Sequence, residues 1–105
     1  MSGNPVDKTA IGEAGPKPDV ARRVATICNQ FGLHARAAGR FVKMAGQFDA
    51  EVRVRKNGTE VSGRDILDLL LLGAAPGTVI ELTATGPQAE AAVAALADFL
   101  KFDEG

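Results

Sequence analysis

The amino-acid sequence predicts an α+β fold, an open-faced β-sandwich in which three helices cover one face of a four-stranded antiparallel sheet. Two observations carry this prediction. Apolar residues recur alternately at strand spacing and at helix spacing, in the order β-α-β-β-α-β-α. Each strand is apolar on one face only, so the sheet needs cover on one side and can face solvent on the other. A chain of 105 residues supplies one such domain.

A tail and a strand begin the chain. Residues 1–20 mix glycine, proline and charged residues without apolar periodicity, which predicts a flexible N-terminal tail. The folded domain is therefore expected at 21–105. Its first strand is the segment RRVATIC, from Arg22 to Cys28, and the turn-forming residues Asn29 and Gly32 end that strand.

A helix and a β-hairpin follow. The segment from Ala35 to Gly46 has apolar residues at helical spacing, and Gly46 is suited to end the helix. These apolar residues are Ala38, Phe41, Val42 and Ala45. The spacing then changes to alternate residues, which places on one face Ala50, Val52 and Val54. Asn57 and Gly58 form a hairpin turn signal, so the next segment, TEVS, is predicted to pair with this strand.

The second helix is short and very apolar. Ser62 followed three residues later by Asp65 resembles a capping box, with the acidic group in the first helical turn. The helix is predicted from about Arg64 to Leu72, and Gly73 ends it.

The last two elements are a strand and a helix. A turn at Pro76 and Gly77 leads to the segment TVIELTAT, whose apolar face consists of Ile80, Leu82 and Ala84. Gly86 and Pro87 open the final helix, where a proline without an N–H group costs least. The predicted buried stripe of this helix comprises Ala92, Val93, Leu96, Phe99 and Leu100.

Composition excludes several classes of function. The net charge of −1 gives no overall attraction to nucleic acid or to an anionic membrane, and the chain has no tryptophan or tyrosine for stacking on bases. The single cysteine, Cys28, cannot form an internal disulfide, and one cysteine with one histidine makes no metal-ligand cluster. Without a transmembrane-length segment or a signal peptide, the protein is expected in the cytoplasm.

The only histidine of the chain, His34, lies where a loop meets the first predicted helix. A helix start presents unpaired N–H groups and partial positive charge, which favour a bound anion and a neutral, nucleophilic imidazole. Gly32 permits close approach of another molecule, and the guanidinium of Arg36 can pair with phosphate oxygens. Arg40 and Lys43 extend a basic stripe along the same helix face. This arrangement fits a histidine that accepts a phosphoryl group, although a solvated histidine and a solvated basic face remain the alternative.

The segment GLHARAA resembles the active-site motif of the HPr family, the histidine phosphocarriers of the bacterial phosphoenolpyruvate-dependent phosphotransferase system, including its nitrogen-related branch. The resemblance extends from about residue 21 to residue 103 and includes RFVKMA and VSGRDILDLLLLGAAPGTVIEL. It implies that Nδ1 of His34 receives a phosphoryl group from enzyme I and passes it to an enzyme IIA-type acceptor, with Arg36 as the active-site arginine. It also implies a monomeric carrier in sugar uptake or regulatory signalling, without a metal or other cofactor, rather than a stand-alone enzyme.

The second helix has more leucines than one core stripe can use, so some are expected on the surface. The resemblance implies that equivalent positions, with the start of the first helix, contact both phosphotransfer partners. The candidates for partner contact are Arg40, Ile66, Leu67 and Leu70. Leu69 and Leu72 are assigned to the core.

Two residues depart from the family pattern. Ala37 replaces the usual proline, which would pre-set the first helical turn, so a looser turn is expected. Asp65 stands where Gram-positive relatives have a serine that a regulatory kinase phosphorylates. An aspartate cannot accept phosphate in that way, and its place in the capping box favours a structural role over the alternative of a built-in phosphate mimic.

Two further interpretations stay open from the sequence. One is a docking regulator of the same fold, in which transfer from His34 is minor. The other is an α+β domain that senses a small molecule, although this leaves the segment GLHAR unexplained. Labelling by phosphoenolpyruvate and enzyme I separates the carrier from both alternatives.

Overall fold

The computed structural model describes residues 19–102. It confirms the predicted order of elements and the open-faced α+β architecture. The elements are β1 (Val20–Thr26), α1 (Ala35–Ala45), β2 (Glu51–Lys56), β3 (Thr59–Ser62), α2 (Ile66–Leu72), β4 (Val79–Thr85) and α3 (Ala89–Phe102). The predicted tail falls mostly on residues 1–18, which lie outside the described residues.

The four strands form one sheet in the order β1-β4-β2-β3. Every neighbouring pair is antiparallel, and β4 lies between β1 and β2. The last strand of the chain is thus inserted beside the first, and the hairpin of β2 and β3 extends the sheet. Asn57 and Gly58 both have positive φ, 50° and 84°, which confirms the predicted hairpin turn.

The first strand lies two residues earlier than predicted. It runs from Val20 to Thr26 instead of Arg22 to Cys28, and both ends are set by its pairing with the seven residues of β4. The small residues Ala21 and Ala25 face the core, whereas Val20 and Val24 are exposed. Because the apolar valines point outward and alanines point inward, hydropathy alone misplaces the strand.

The core lies between the inner face of the sheet and the three helices. The predicted inward residues of β2 and β4, such as Val52, Val54, Ile80 and Leu82, are all buried. Phe41 of α1 is the largest fully buried side chain, and its ring meets Phe99 of α3 edge-on at 6.3 Å between centroids. Phe99 is only partly buried, so the predicted stripe of α3 is more exposed at that position.

The outer face of the sheet carries charged pairs. Arg55 on β2 donates to Glu81 on β4 at 2.6 Å, and Arg53 donates to Glu60 on β3 at 3.0 Å. Such exposed pairs add little stability, but opposite charges on adjacent strands favour the observed register. This face therefore needs no covering layer.

The predicted capping box is wrong in its assignment. Asp65 is itself the N-cap of α2, and its carboxylate accepts from the backbone N–H of Asp68 at 3.1 Å. Ser62 accepts instead from the backbone N–H of Arg64 at 3.1 Å. An aspartate reaches the third helical N–H group from the cap position, so the helix begins at Ile66 rather than near Arg64. Gly73 ends it in the left-handed conformation, as predicted.

The last helix also begins later than predicted. Pro87 lies in a turn in which the N–H of Ala89 donates to the carbonyl of Gly86 at 3.1 Å. The helical pattern starts with the N–H of Ala92, which donates to the carbonyl of Gln88 at 2.9 Å. Proline therefore shapes the entry to α3 instead of occupying its first turn.

Candidate functional site

His34 is the N-cap residue of α1. Its backbone is extended, with φ −78° and ψ 177°, and its Nδ1 atom accepts from the backbone N–H of Arg36 at 3.2 Å. A nitrogen that accepts a hydrogen bond has its lone pair directed at the donor, so a neutral ring here carries its proton on Nε2. The nucleophilic lone pair of the chain's only histidine therefore faces the start of a helix.

The start of α1 is suited to hold an anion beside this nitrogen. The first N–H groups of a helix have no partner within the helix, and they lie at its partially positive end. The first turn of α1, which the structure describes completely, contains no acidic residue that would repel a phosphate. Ala37, in place of the family's usual proline, is fully buried, so packing against the core constrains this turn.

The loop that carries His34 rests on the loop between α2 and β4. Gly32 has φ +71°, and a Cβ atom built at this position would lie 2.5 Å from the carbonyl oxygen of Ala74. The next residue, Leu33, is buried and donates its backbone N–H to the same oxygen at 2.9 Å. Only glycine allows this approach, and it fixes His34 relative to the end of α2.

Two cations of the chain hold α2 at its ends. The Nζ atom of Lys56, on β2, donates to the carbonyls of Leu72 and Gly73 at 3.2 and 2.8 Å. A cation at the C-terminal end of a helix satisfies free carbonyls and opposes the helix dipole. Near the other end, the guanidinium of Arg64 donates to the carbonyl of Ala50 at 3.1 Å. The position of α2 beside the histidine loop is thus set from the sheet.

Phe31 is a site residue that sequence reasoning missed. Its ring meets the imidazole of His34 edge-to-face, with 5.7 Å between centroids and 83° between planes. The Phe31 side chain is 62% exposed, which is unusual for a large apolar group in a loop. The signal in the sequence was an aromatic residue three positions before the histidine, in a segment without apolar periodicity.

The basic residues predicted on α1 are all exposed. Arg36 follows His34 by two positions, and its backbone N–H group donates to Nδ1 of His34, the N-cap residue. Arg40 and Lys43 lie one and two turns further along the helix. The site thus joins the imidazole to the backbone of Arg36 directly, whereas Arg40 and Lys43 lie further along the same helix.

The exposed side of α2 forms an apolar surface that consists of Ile66, Leu67, Leu70 and Leu71. The predicted exposure of the first three and the burial of Leu69 and Leu72 are confirmed. Leu71 was not among the predicted contact residues, yet it is 75% exposed and is the most exposed of the four. In a helix with leucine at four consecutive positions, spacing does not distinguish one surface leucine from the next.

Two surface pockets of the described residues have linings that do not include His34. One, of about 310 Å³, lies between β1 and the end of α3, and the other, of about 330 Å³, borders Arg64 and Thr85. Within residues 19–102 we find no cluster of three potential metal ligands and no helix long and apolar enough to cross a membrane. His34 is partly exposed and has exposed neighbours in Phe31 and Arg36, so another macromolecule can approach the imidazole.

Comparisons with known proteins agree on one family. A family model described as "PTS HPr component phosphorylation site" matches residues 21–101. The phosphocarrier protein HPr of Neisseria meningitidis serogroup A is 47% identical over 81 residues, which are 75% of this chain and 91% of that protein. The phosphocarrier protein NPr of Escherichia coli strain K12 is 42% identical over 76 residues, which are 71% of this chain and 84% of that protein. A crystal structure of HPr from Thermoanaerobacter tengcongensis superposes with a TM-score of 0.77 at 34% identity, covering 81% of this chain and 96% of that one.

Proposed function

Because the chain belongs to the HPr family of phosphocarrier proteins, we propose that His34 accepts a phosphoryl group on Nδ1 from enzyme I and passes it to an enzyme IIA-type acceptor in the cytoplasm. The observation that carries this proposal is the direction of the Nδ1 lone pair. It points at the backbone N–H of Arg36, at 3.2 Å, where a helix start favours an anion. A phosphoryl group bonded to Nδ1 would therefore lie among hydrogen-bond donors.

In the first transfer, the Nδ1 lone pair attacks phosphorus, and the bond between phosphorus and the donor atom breaks with its electron pair staying on the donor. No proton has to move, because the imidazole is already protonated on Nε2. The N–H of Arg36, which donates to Nδ1 in the free protein, is then available to a phosphoryl oxygen. The guanidinium of Arg36 supplies a second, charge-assisted contact from the same residue.

In the second transfer, the acceptor attacks phosphorus and the Nδ1–P bond breaks, with the electron pair returning to Nδ1. Since Nε2 keeps its proton throughout, the leaving group is a neutral imidazole rather than an imidazolate anion. The phosphorylated ring is thus a good phosphoryl donor, and the same residue serves in both directions. The protein carries the group between partners and converts no free metabolite by itself.

Both partners are proposed to bind beside His34. The apolar surface of α2 offers Ile66, Leu67, Leu70 and Leu71 to an apolar patch on each partner, and the exposed Arg40 of α1 is proposed to add a charged contact. Clustered exposed apolar side chains typically mark a contact surface. The direct bond between the His34 loop and Ala74 supports this arrangement, because it holds the nucleophile and α2 in one unit.

The test is labelling with phosphoenolpyruvate and a cognate enzyme I, followed by intact-mass measurement. We expect one acid-labile phosphate on the wild-type protein and none on His34→Ala, with the fold retained and melting lowered by only a few degrees, because the change removes one capping hydrogen bond at the helix margin. Gln47→Ala, an exposed change just beyond the other end of α1, is the control and should be labelled normally. Phosphate on His34→Ala would place the chemistry elsewhere, and a wild type that stays unlabelled would favour a docking regulator.

A further inference from the structure

The imidazole of His34 is held by hydrogen bonding on one side only. Its Nδ1 atom accepts from Arg36, but its Nε2 atom is buried and has no partner within the described chain. A functional histidine is ordinarily oriented by a hydrogen bond at its second nitrogen. Here the orientation depends instead on the edge contact with Phe31 and on the backbone of the loop that carries the ring. Whatever fixes that loop therefore fixes the nucleophile.

Asn29 is placed to fix the loop. It is 7% exposed and is the one buried polar residue of the described chain. Its Nδ2 atom donates to the carbonyl of Gly32 at 2.9 Å, whereas the backbone bond across the same turn, from the N–H of Gly32 to the carbonyl of Asn29, is 3.5 Å long. The side chain, more than the backbone, closes the turn that precedes His34.

The burial of Asn29 is not explained by stability alone. Its Oδ1 atom is buried without a partner in the described chain, and a buried unsatisfied acceptor lowers stability. In those residues the only other orphaned buried side-chain atom is Nε2 of His34, so both belong to the same loop. Groups that depart from full satisfaction in this way tend to lie at functional sites.

We propose that Asn29 is a positioning residue for phosphoryl transfer: by holding the Gly32 carbonyl, its amide keeps Nδ1 of His34 directed at the start of α1. The proposal rests on the proposed function of His34. The amide fixes the turn at Gly32, the turn sets the bond from Leu33 to Ala74, and that bond places His34 at its cap position. Without the amide, the imidazole samples other orientations in which Nδ1 no longer faces the helix.

The first experiment compares Asn29→Ala with the wild type in phosphorylation by enzyme I. Small displacements of a reacting group lower rates by up to two orders of magnitude, so we expect the maximal transfer rate to fall about 10- to 100-fold. The apolar surface of α2 is unchanged in this variant, so the Michaelis constant for the carrier should stay within about twofold of wild type. The control is Gln30→Ala, an exposed neighbour in the same loop, which should transfer at the wild-type rate.

The second measurement is the nitrogen NMR spectrum of the imidazole, which is unambiguous because the chain has one histidine. In the wild type at a pH where the ring is neutral, we expect the form protonated on Nε2 to dominate, because Nδ1 accepts from Arg36. In Asn29→Ala the two tautomers should become more nearly equal. A purely structural role for Asn29 would lower the melting temperature without moving these signals.

A wild-type rate together with a wild-type spectrum in folded Asn29→Ala would overturn the inference, provided that the wild type itself is labelled. An unlabelled wild type would instead count against the proposed function. If Asn29→Ala does not fold, Asn29→Leu replaces it, since it keeps the approximate side-chain shape and removes the donor to Gly32 without burying a charge. Unfolding of both variants would make Asn29 a structural residue and would also overturn the proposal.

Discussion

At the scale of single residues, the site combines backbone and side-chain groups from a short segment. Arg36 illustrates this, because its N–H group donates to Nδ1 of His34 while its guanidinium remains on the surface. A substitution at Arg36 removes the guanidinium but leaves the backbone N–H group in place. Side-chain variants can therefore separate phosphate binding from the geometry of the helix start.

Arg36→Ala is expected to slow transfer far more than it lowers stability. A charge-assisted hydrogen bond is worth about 1.5–3 kcal/mol, which corresponds to about one to two orders of magnitude in rate if it forms in the transition state. Arg36→Lys keeps the positive charge but loses the planar guanidinium, so its transfer rate should lie between those of the wild type and Arg36→Ala. Single-turnover rates measured by rapid quench test this, and unchanged rates in Arg36→Ala would make the guanidinium a bystander.

Gly32→Ala is expected to destabilise the protein on the order of 3 kcal/mol, because a Cβ atom there requires a strained backbone and meets the carbonyl of Ala74. Gly39→Ala is the matched control. A Cβ atom at Gly39 meets nothing within 4 Å, and alanine favours the helix by about 1 kcal/mol. Chemical denaturation should therefore show opposite changes in the free energy of unfolding. Equal stability of the two variants would mean that the loops are less tightly joined than the structure indicates.

At the scale of elements, α2 divides its leucines between two tasks. Leu69 and Leu72 pack into the core, and the surface formed by Ile66, Leu67, Leu70 and Leu71 faces outward. The helix has only seven residues, so its position depends on the contacts at its ends more than on its intrinsic stability. The buried side of α2 must therefore be held firmly against the core so that its exposed side can present the apolar surface.

Leu67→Glu and Leu71→Glu are expected to raise the Michaelis constant of the carrier in both half-reactions, with nearly wild-type melting. A glutamate is solvated on the free protein but is buried without a counter-charge against an apolar partner, which is costly. Leu69→Glu is the contrasting control and should unfold the domain, because Leu69 is fully buried. Normal kinetics in both surface variants would place the docking surface elsewhere.

Lys56→Met is expected to loosen the end of α2. The methionine keeps most of the apolar stem but loses the two hydrogen bonds to the helix C-terminus, a loss of about 1 kcal/mol. For a domain of this size that lowers the melting temperature by about 4–8 °C. Hydrogen exchange should show faster exchange at the Leu33 amide, which bonds to Ala74 just beyond the helix. Unaltered protection of the Leu33 amide would mean that the hydrogen bonds of Lys56 to the end of α2 do not affect the His34 loop.

At the scale of the whole molecule, the described fold begins at Asp19, whose carbonyl accepts from the N–H of Gly86 at 2.8 Å. Deletion of residues 1–18 is therefore expected to leave melting within a few degrees of wild type, since it removes no residue of the described sheet or core. Deletion of 1–19 removes one further hydrogen bond and should cost more. A large loss of stability on removing 1–18 alone would show that the N-terminal segment packs on the domain.

The class and order of elements could be predicted because each strand and helix carries its own apolar periodicity. The sheet order could not, since the placement of β4 between β1 and β2 depends on pairing between segments far apart in the chain. His34 and Arg36 were found through a motif. Asn29 and Phe31 were missed as candidate site residues because loop contacts leave no periodic signal, and their proposed roles rest on a buried amide and an edge-to-face ring contact.

The backbone hydrogen bond between Leu33 and Ala74 also affects how such a carrier can acquire new binding partners. This hydrogen bond fixes the position of His34 relative to the exposed surface of α2, and that position is the same whichever partner binds. The donor and the acceptor need not be related in evolution, since each has only to fit the same arrangement of His34 and the α2 surface. Under the proposed function both partners use the surface of α2, so they must bind one after the other, and short-lived complexes allow faster transfer than tight ones. A new partner could therefore evolve a binding site that fits this arrangement, without any change in the carrier.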